Sequence, residues 1–490
     1  VRTEQDTLVA EALAGVPTQL FVDGVWRPAT SGRTFDVHDP ATGNVLATVA
    51  DGDRVDAKAA LSAAVAAADG WAATSPRVRA DLLRAVFDEL HRRADQVSLL
   101  MTLEMGKPLA EARGELAYGA EFLRWFSEEA VRVGGHFGTN PEGTGRVVIL
   151  RRPVGPTYLV TPWNFPLAMA TRKLGPALAA GCTTVLKPAE LTPLTSLLLT
   201  SMFVEAGLPP GVLNVVTTTD PAEASDAILR DSRLRKLSFT GSTPVGRQLL
   251  ADAAPGVLRT SMELGGNAAF LVFADADLDA AVGGAMLAKF RNTGQACTAA
   301  NRFLVHRDVV GKFTERLEAE VARLQVGPGT GEGVQIGPLI SADAVARVHA
   351  LVQEAVQKGA TVVTGGTPLE GPGNFYAPTI VTDVPDDCRL LHEEIFGPVV
   401  ALAAFDDDEE AIRRANASEF GLVSYAFTRD LRRGLDLVDR LESGMTGLNA
   451  GVVSSPAAPF GGIKHSGLGR EGGREGIEEY LETKYAFLGE

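Results

Sequence analysis

From residue 158 to residue 239 the chain alternates short apolar runs with helical stretches. The runs are 158–161, 183–187, 212–216 and 236–239. Between them, 166–180, 195–206 and 222–229 carry the three-to-four-residue apolar spacing of helices. Alternation of this kind specifies an α/β fold built on a parallel, doubly wound sheet. A second series follows Glu263, with strands expected at 269–273 and 302–306 and helices at 278–291 and 309–324. A Gly/Pro-rich loop occupies 326–339, and further strands are expected at 361–363, 399–405, 423–427 and 445–449.

The flanks read differently. Residues 20–26 alternate like a strand and turn at Asp23-Gly24, and 35–49 reads as strands joined by turns. Residues 53–71 read as a helix with Asp53 as its N-cap, and 78–129 is helical apart from a break near 105–108. Arg151 and Arg152 inside the strand-like run 146–154 mark an exposed hairpin or edge. The tail 480–488 is strand-like again, and a terminal strand of this kind pairs with something outside its domain.

Composition excludes several functions. A chain of 490 residues exceeds one core, so about two or three domains are expected. A net charge of −15 argues against nucleic acid and against a polybasic membrane surface. No run approaches the roughly eighteen apolar residues of a membrane helix, and the first residues lack a signal-type apolar core. Three cysteines, Cys182, Cys297 and Cys388, form no disulfide framework and suit a reducing compartment, so the cytoplasm is the default. Seven scattered histidines without a ligand motif point to no metal.

Chemistry gathers at a few turns. Cys297 follows Gly294-Gln295 between a helix and a strand, where a thiol can be presented to a cleft as a nucleophile; a small buried hydrophobe is the plain alternative. Glu263 sits in apolar company before Gly265-Gly266, so desolvation would make it a general base, against the reading of a solvated loop carboxylate. Asn164, between Trp163 and Phe165-Pro166, is either an oxyanion donor or a turn cap. In 236–246 a strand runs through Gly241 and Ser242 into a helix, whose first turn offers free N–H groups to a pyrophosphate; an ordinary βα turn is the alternative. Lys187 and Glu190 fall just beyond the carboxyl end of a strand, suited to ribose hydroxyls or to a surface ion pair. The GxGxxG-like run 467–472 has too little chain after it for a βαβ unit and is set aside.

Read together, 161–165, 239–246, 263–266, 294–297 and Glu393-Glu394-Ile395-Phe396-Gly397-Pro398 resemble the NAD(P)-dependent aldehyde dehydrogenase superfamily over about residues 20–485. Within it, 101–112, 288–295 and 459–471 resemble the succinate-semialdehyde dehydrogenases. The resemblance implies two Rossmann-like domains and a small β oligomerisation arm. The cofactor-binding domain would comprise 1–129 and 150–263 with a return near 450–470. The catalytic domain would span 264–449, and the arm 130–149 and 471–490 of a homodimer or homotetramer.

It also implies roles. Cys297 attacks the aldehyde, Asn164 and the Cys297 N–H hold the oxyanion, and Glu263 activates water against the thioacyl enzyme. Thr161, Trp163, Lys187, Glu190, Gly241, Ser242, Gly246, Leu264, Glu394 and Phe396 hold the dinucleotide. Arg172, Arg291 and Ser454 grip a substrate carboxylate, guanidinium being suited to bidentate pairing. Glu190 replaces a serine of many NADP-using relatives; its carboxylate bonds a free 2′-hydroxyl and repels a 2′-phosphate. NAD is therefore preferred, with NADP possible through Lys187. Ala299, in place of a second cysteine of some relatives, leaves no disulfide switch. The expected reaction is oxidation of succinate semialdehyde to succinate. Glutarate or 2-oxoglutarate semialdehyde, a broad-specificity aldehyde dehydrogenase and a Cys/Glu thiol esterase are the alternatives.

Overall fold

A computed structural model describes residues 4–489. Two sheets organise it. The first has five parallel strands in the spatial order Leu213–Val215, Thr184–Lys187, Thr157–Val160, Lys236–Thr240, Arg259–Glu263. Numbered along the chain this is 3-2-1-4-5, so the order reverses between Thr157–Val160 and Lys236–Thr240. A crevice opens beyond the carboxyl ends of the strands at such a reversal, and ligands bind there. Leu20–Val22 and Val25–Arg27 extend one edge antiparallel, and the short strand Gly467–Leu468 closes the other.

In the second sheet the strands run in the order Thr361–Thr364, Thr379–Thr382, Val399–Phe405, Ala300–His306, Ala268–Val272, Val423–Phe427, Met445–Leu448, parallel except for the first. The chain leaves the carboxyl end of Arg259–Glu263 and enters the amino end of Ala268–Val272 through only Leu264-Gly265-Gly266-Asn267. The carboxyl ends of the first sheet therefore face the amino ends of the second.

Helices cover both faces because their apolar stripes need a sheet to bury against. Arg54–Ala73 starts at the expected Asp53 cap, whose carboxylate accepts from the Val55 and Asp56 N–H groups. Pro166–Ala180 is buried along its whole length and packs against Leu109–Ala130. A third sheet, His136–Thr139, Gly145–Pro153 and Leu481–Gly489, stands apart as an antiparallel arm carrying the exposed Phe137, Tyr485, Phe487 and Leu488.

One sequence expectation is corrected, and one strand was not expected. Residues 471–480 do not belong to the arm, since Glu471 and Tyr480 are buried inside the molecule and the arm strand begins at Leu481. Arg259–Glu263 is a strand, although only Met262 in it is apolar, because its neighbours at Lys236–Thr240 and Gly467–Leu468 complete its hydrogen bonds. No helix among the described residues is long and apolar enough to cross a membrane.

Candidate active site

The four-residue passage between the sheets forms the floor of a cavity of about 460 Å³. Cys297, Glu263 and Asn164 share its wall with Trp163, Gly241, Ser242, Leu264, Glu394 and Phe396. Nine residues singled out along 230 positions of sequence thus meet in one cleft at the reversal of the first sheet.

The Cys297 loop is held from several sides. Asn292 and Thr293 both adopt left-handed backbone, at φ 55° and 56°, a costly conformation for residues with a Cβ. Hydrogen bonds fix it: the Asn292 N–H donates to Glu111 Oε2 at 2.7 Å, and the Gly337 N–H donates to Thr293 Oγ1 at 3.1 Å. The Gln295 side chain bridges to Pro338 O (3.3 Å) and the Ile340 N–H (2.9 Å). The Cys297 N–H has no acceptor among the described residues. Burial pushes the thiol pKa up to about 12; Arg172 and Arg291 oppose this, while Glu394 and Glu263 add to it.

Asn164 donates from Nδ2 to Gln295 O at 3.0 Å, keeping one amide hydrogen to spare, and its Oδ1 is buried without a partner. Its own carbonyl accepts from Lys107 Nζ at 2.9 Å and from Asn292 Nδ2 at 3.0 Å. Lys107 is fully buried, ion-paired with Glu115 and 4.1 Å above the Phe165 ring. The other Glu115 oxygen accepts the Leu167 and Ala168 N–H groups, capping helix Pro166–Ala180. One buried pair thus holds both the oxyanion candidate and the start of the helix behind it. Only the break at 105–108 hints at it along the chain, because charges at helical spacing ordinarily mark a solvated face.

Glu263 ends its strand with a buried carboxyl whose Oε2 has no hydrogen bond. Burial, then the nearby Glu471 carboxylate, raises its pKa well above the carboxylate range. Glu471 behaves oppositely. Burial works against its charge, but Lys173 (2.6 Å) and Arg172 (2.8 Å) outweigh that and hold its pKa low. Glu471 lies in the glycine run set aside as a phosphate motif. The run serves packing instead, since a Cβ on Gly467 would sit 1.9 Å from Met262 O.

The dinucleotide candidates divide. Helix Thr243–Ala253 opens on the cavity, and its N-cap Ser242 bonds none of the first-turn N–H groups, so the positive end of the helix is available to an anion. The Gly241 and Gly246 N–H groups, however, are spent on Glu263 O and Ser242 O at 3.0 Å each. Gly246 serves close packing, since a Cβ there would lie 2.3 Å from Leu264 Cδ2. Glu394 accepts from the Gly266 N–H at 3.1 Å, and burial raises its pKa to about 7. Phe396, at φ 53°, turns its ring edge-on to Trp163 at 5.5 Å. Thr161 and Lys187 are buried just outside this wall, where the Thr161 N–H donates to Lys187 O, and Lys187 Nζ lies 3.6 Å from the half-exposed Glu190 carboxylate. An anion-ready helix end, a ring pair and a carboxylate at the carboxyl ends of a doubly wound sheet suit a dinucleotide. Thr243, Pro244, Arg347, His392, Glu393, Glu419 and Phe420 also line the cavity and were not singled out. The first two and Glu393 lie inside quoted motifs, whereas Arg347, His392, Glu419 and Phe420 carry no local signal.

Arg172, Arg291 and Ser454 lie off this wall. Arg172 is buried, donates from Nε to Glu471 at 2.9 Å and stacks 3.9 Å over Phe460, so much of its charge is already matched. Arg291 has no carboxylate within ion-pair distance among the described residues and reaches only Thr298 Oγ1, at 3.4 Å. No group of three or more His, Cys, Asp or Glu side chains among the described residues could hold a metal ion.

Comparison with known proteins agrees with this geometry. Residues 26–486 match the aldehyde dehydrogenase family. The chain is 59% identical to a succinate-semialdehyde dehydrogenase of Paenarthrobacter nicotinovorans over 90% of this chain and 98% of that one. It is 48% identical to a glutarate-semialdehyde dehydrogenase of Pseudomonas aeruginosa over 96% and 97%. A crystal structure of an E. coli NADP-dependent enzyme superposes with a TM-score of 0.96 at 45% identity, covering all of both chains. With a thiol, a buried carboxyl and an amide donor on one wall of a cleft at the sheet reversal, and a family match over nearly its whole length, the chain belongs to the aldehyde dehydrogenase family.

Proposed function

We propose that the protein oxidises succinate semialdehyde to succinate. The observation that carries the substrate is Arg291, a guanidinium six residues before Cys297 that makes no ion pair among the described residues, the Glu111 carboxylate acting on it only from farther off. A cation near the reacting thiol with no ion pair favours an aldehyde whose other end is an anion.

In this reading the Cys297 thiol gives its proton to the Glu263 carboxylate on the same wall, which passes it to solvent, and the sulfur adds to the aldehyde carbon. The oxyanion accepts from the Cys297 N–H and the spare Asn164 amide hydrogen, both fixed before the substrate arrives. The dinucleotide, when bound, accepts the hydride. Glu263 then takes a proton from the water that attacks the thioester, and its raised pKa makes its ionised form a stronger base than an ordinary carboxylate. Ser242 and Trp163 would hold the pyrophosphate, Lys187 and Glu190 the adenosine ribose, and Glu394 with Phe396 the nicotinamide riboside. Glu190 beside Lys187 favours NAD over NADP, the 2′-phosphate of NADP meeting a carboxylate.

The arm, with its exposed apolar residues, would join a second copy into a dimer or a dimer of dimers. Three cysteines, all free, suit the cytoplasm. Glutarate semialdehyde is the second reading, favoured by the P. aeruginosa relative.

The test is kcat/KM for succinate semialdehyde, glutarate semialdehyde and butanal, with NAD and with NADP, in wild type and Arg291→Ala. A carboxylate preference that collapses by about a hundredfold or more in the variant supports the reading. Equal rates on all three aldehydes would remove the substrate and leave the reaction class.

A further inference from the structure

Helix Leu109–Ala130 brings one more polar atom to the Arg172–Arg291 region. Tyr118 packs its ring edge-on against Phe122, with centroids 5.0 Å apart. The Arg172 guanidinium lies 5.7 Å over that same Phe122 ring. The Tyr118 hydroxyl is buried and makes no hydrogen bond of good geometry. The Arg172 and Arg291 guanidinium groups, the Ser454 hydroxyl beside it and the Glu471 carboxylate act on it.

It is not the one orphan there. Arg172 Nη2, although 2.8 Å from Glu471, is not aligned to bond it and has no other partner. Arg291 makes no ion pair and bonds only Thr298 Oγ1, the Glu111 carboxylate acting on it from farther off. Buried polar groups left without partners lower the stability of the free protein and are seldom retained without a use. The Tyr118 hydroxyl, Arg172 Nη2 and Arg291 each keep a donor to spare, and one carboxylate would accept from all three.

We propose that Tyr118 is a specificity-determining residue whose phenol O–H donates to the carboxylate end of the aldehyde, alongside Arg291 and Ser454. The inference rests on the ω-carboxy aldehyde reading given above. A neutral donor adds direction where the guanidinium groups add charge, so it separates a carboxylate from an uncharged end without attracting a second anion. Burial raises the Tyr118 pKa above that of a free phenol, which keeps the proton in place for donation at working pH.

Tyr118→Phe removes the oxygen and preserves the ring. Three quantities test it: kcat/KM for succinate semialdehyde, kcat/KM for butanal, and the melting temperature of the free protein. The expected result is a fall of about tenfold or more for succinate semialdehyde, no change for butanal, and a melting temperature equal to or above wild type. As a readout independent of turnover, the inhibition constant of succinate should rise by a similar factor. An unchanged ratio of the two aldehydes in the variant, against a clear wild-type preference for the carboxylate, overturns the role of Tyr118 alone. An equal loss on both aldehydes, or a lowered melting temperature, marks Tyr118 as structural and also overturns it. A wild type indifferent to the carboxylate overturns the substrate reading, and this inference with it.

Discussion

Cys297 and Glu263 line one cavity, and burial makes each of them hard to ionise. Burial is the first cause for both, and the Glu263 charge adds to the rise of the thiol pKa to about 12. Below its raised pKa, Glu263 holds a proton and cannot take another from water. Thioester hydrolysis should therefore accelerate as pH rises through that value. Glu263→Gln should lose this dependence, fall in kcat by about a hundredfold or more, and leave a single burst of reduced cofactor in rapid mixing. Stability should move the other way. A carboxyl whose pKa is raised by folding favours the native state below the ordinary carboxylate range, and that contribution is lost as pH rises through the raised pKa. Melting temperature against pH, in wild type and in Glu263→Gln, checks the sign.

Elements that meet at the site are held by groups with no part in bond making. Lys107 joins the turn before Leu109–Ala130 to the Asn164 carbonyl, while Glu115 caps Pro166–Ala180. Lys107→Met should leave Glu115 a buried, unpaired carboxylate and free the Asn164 backbone by a fraction of an ångström. Expected are a fall in kcat of about tenfold to a hundredfold with the cofactor KM unchanged, and a lowered melting temperature. Loss of cofactor affinity in parallel would assign Lys107 to the fold rather than to the oxyanion donor. The helix Pro166–Ala180 and the strands between 157 and 240 were legible in the sequence because each element declares itself within its own dozen residues. Arg259–Glu263 was not, since its strand character comes from partners 23 residues before it and over 200 after it. Catalytic candidates were legible because they sit at turns beside unusual residues. Lys107, Glu115 and Glu471 were not, because a charge reads as solvated until its partner is known.

At the scale of the molecule, the arm is where large apolar side chains stay uncovered. Leu481–Gly489 pairs along its whole length with Gly145–Pro153, yet Phe137, Tyr485, Phe487 and Leu488 stay exposed on it. Truncation after Tyr480 should shift the mass in solution from oligomer toward monomer, measured by light scattering on a size-exclusion column. An unchanged mass would move the interface elsewhere.

The short strand Gly467–Leu468, which pairs with Met262 and Glu263, has a temporal meaning. It brings with it Gly461, beside the Glu263 carboxyl, and Glu471, the carboxylate that opposes that carboxyl's ionisation. On the ribosome, Cys297 and Asn164 emerge before this segment does. A nascent chain therefore presents its cleft thiol before the segment that completes the surroundings of Glu263 has been made.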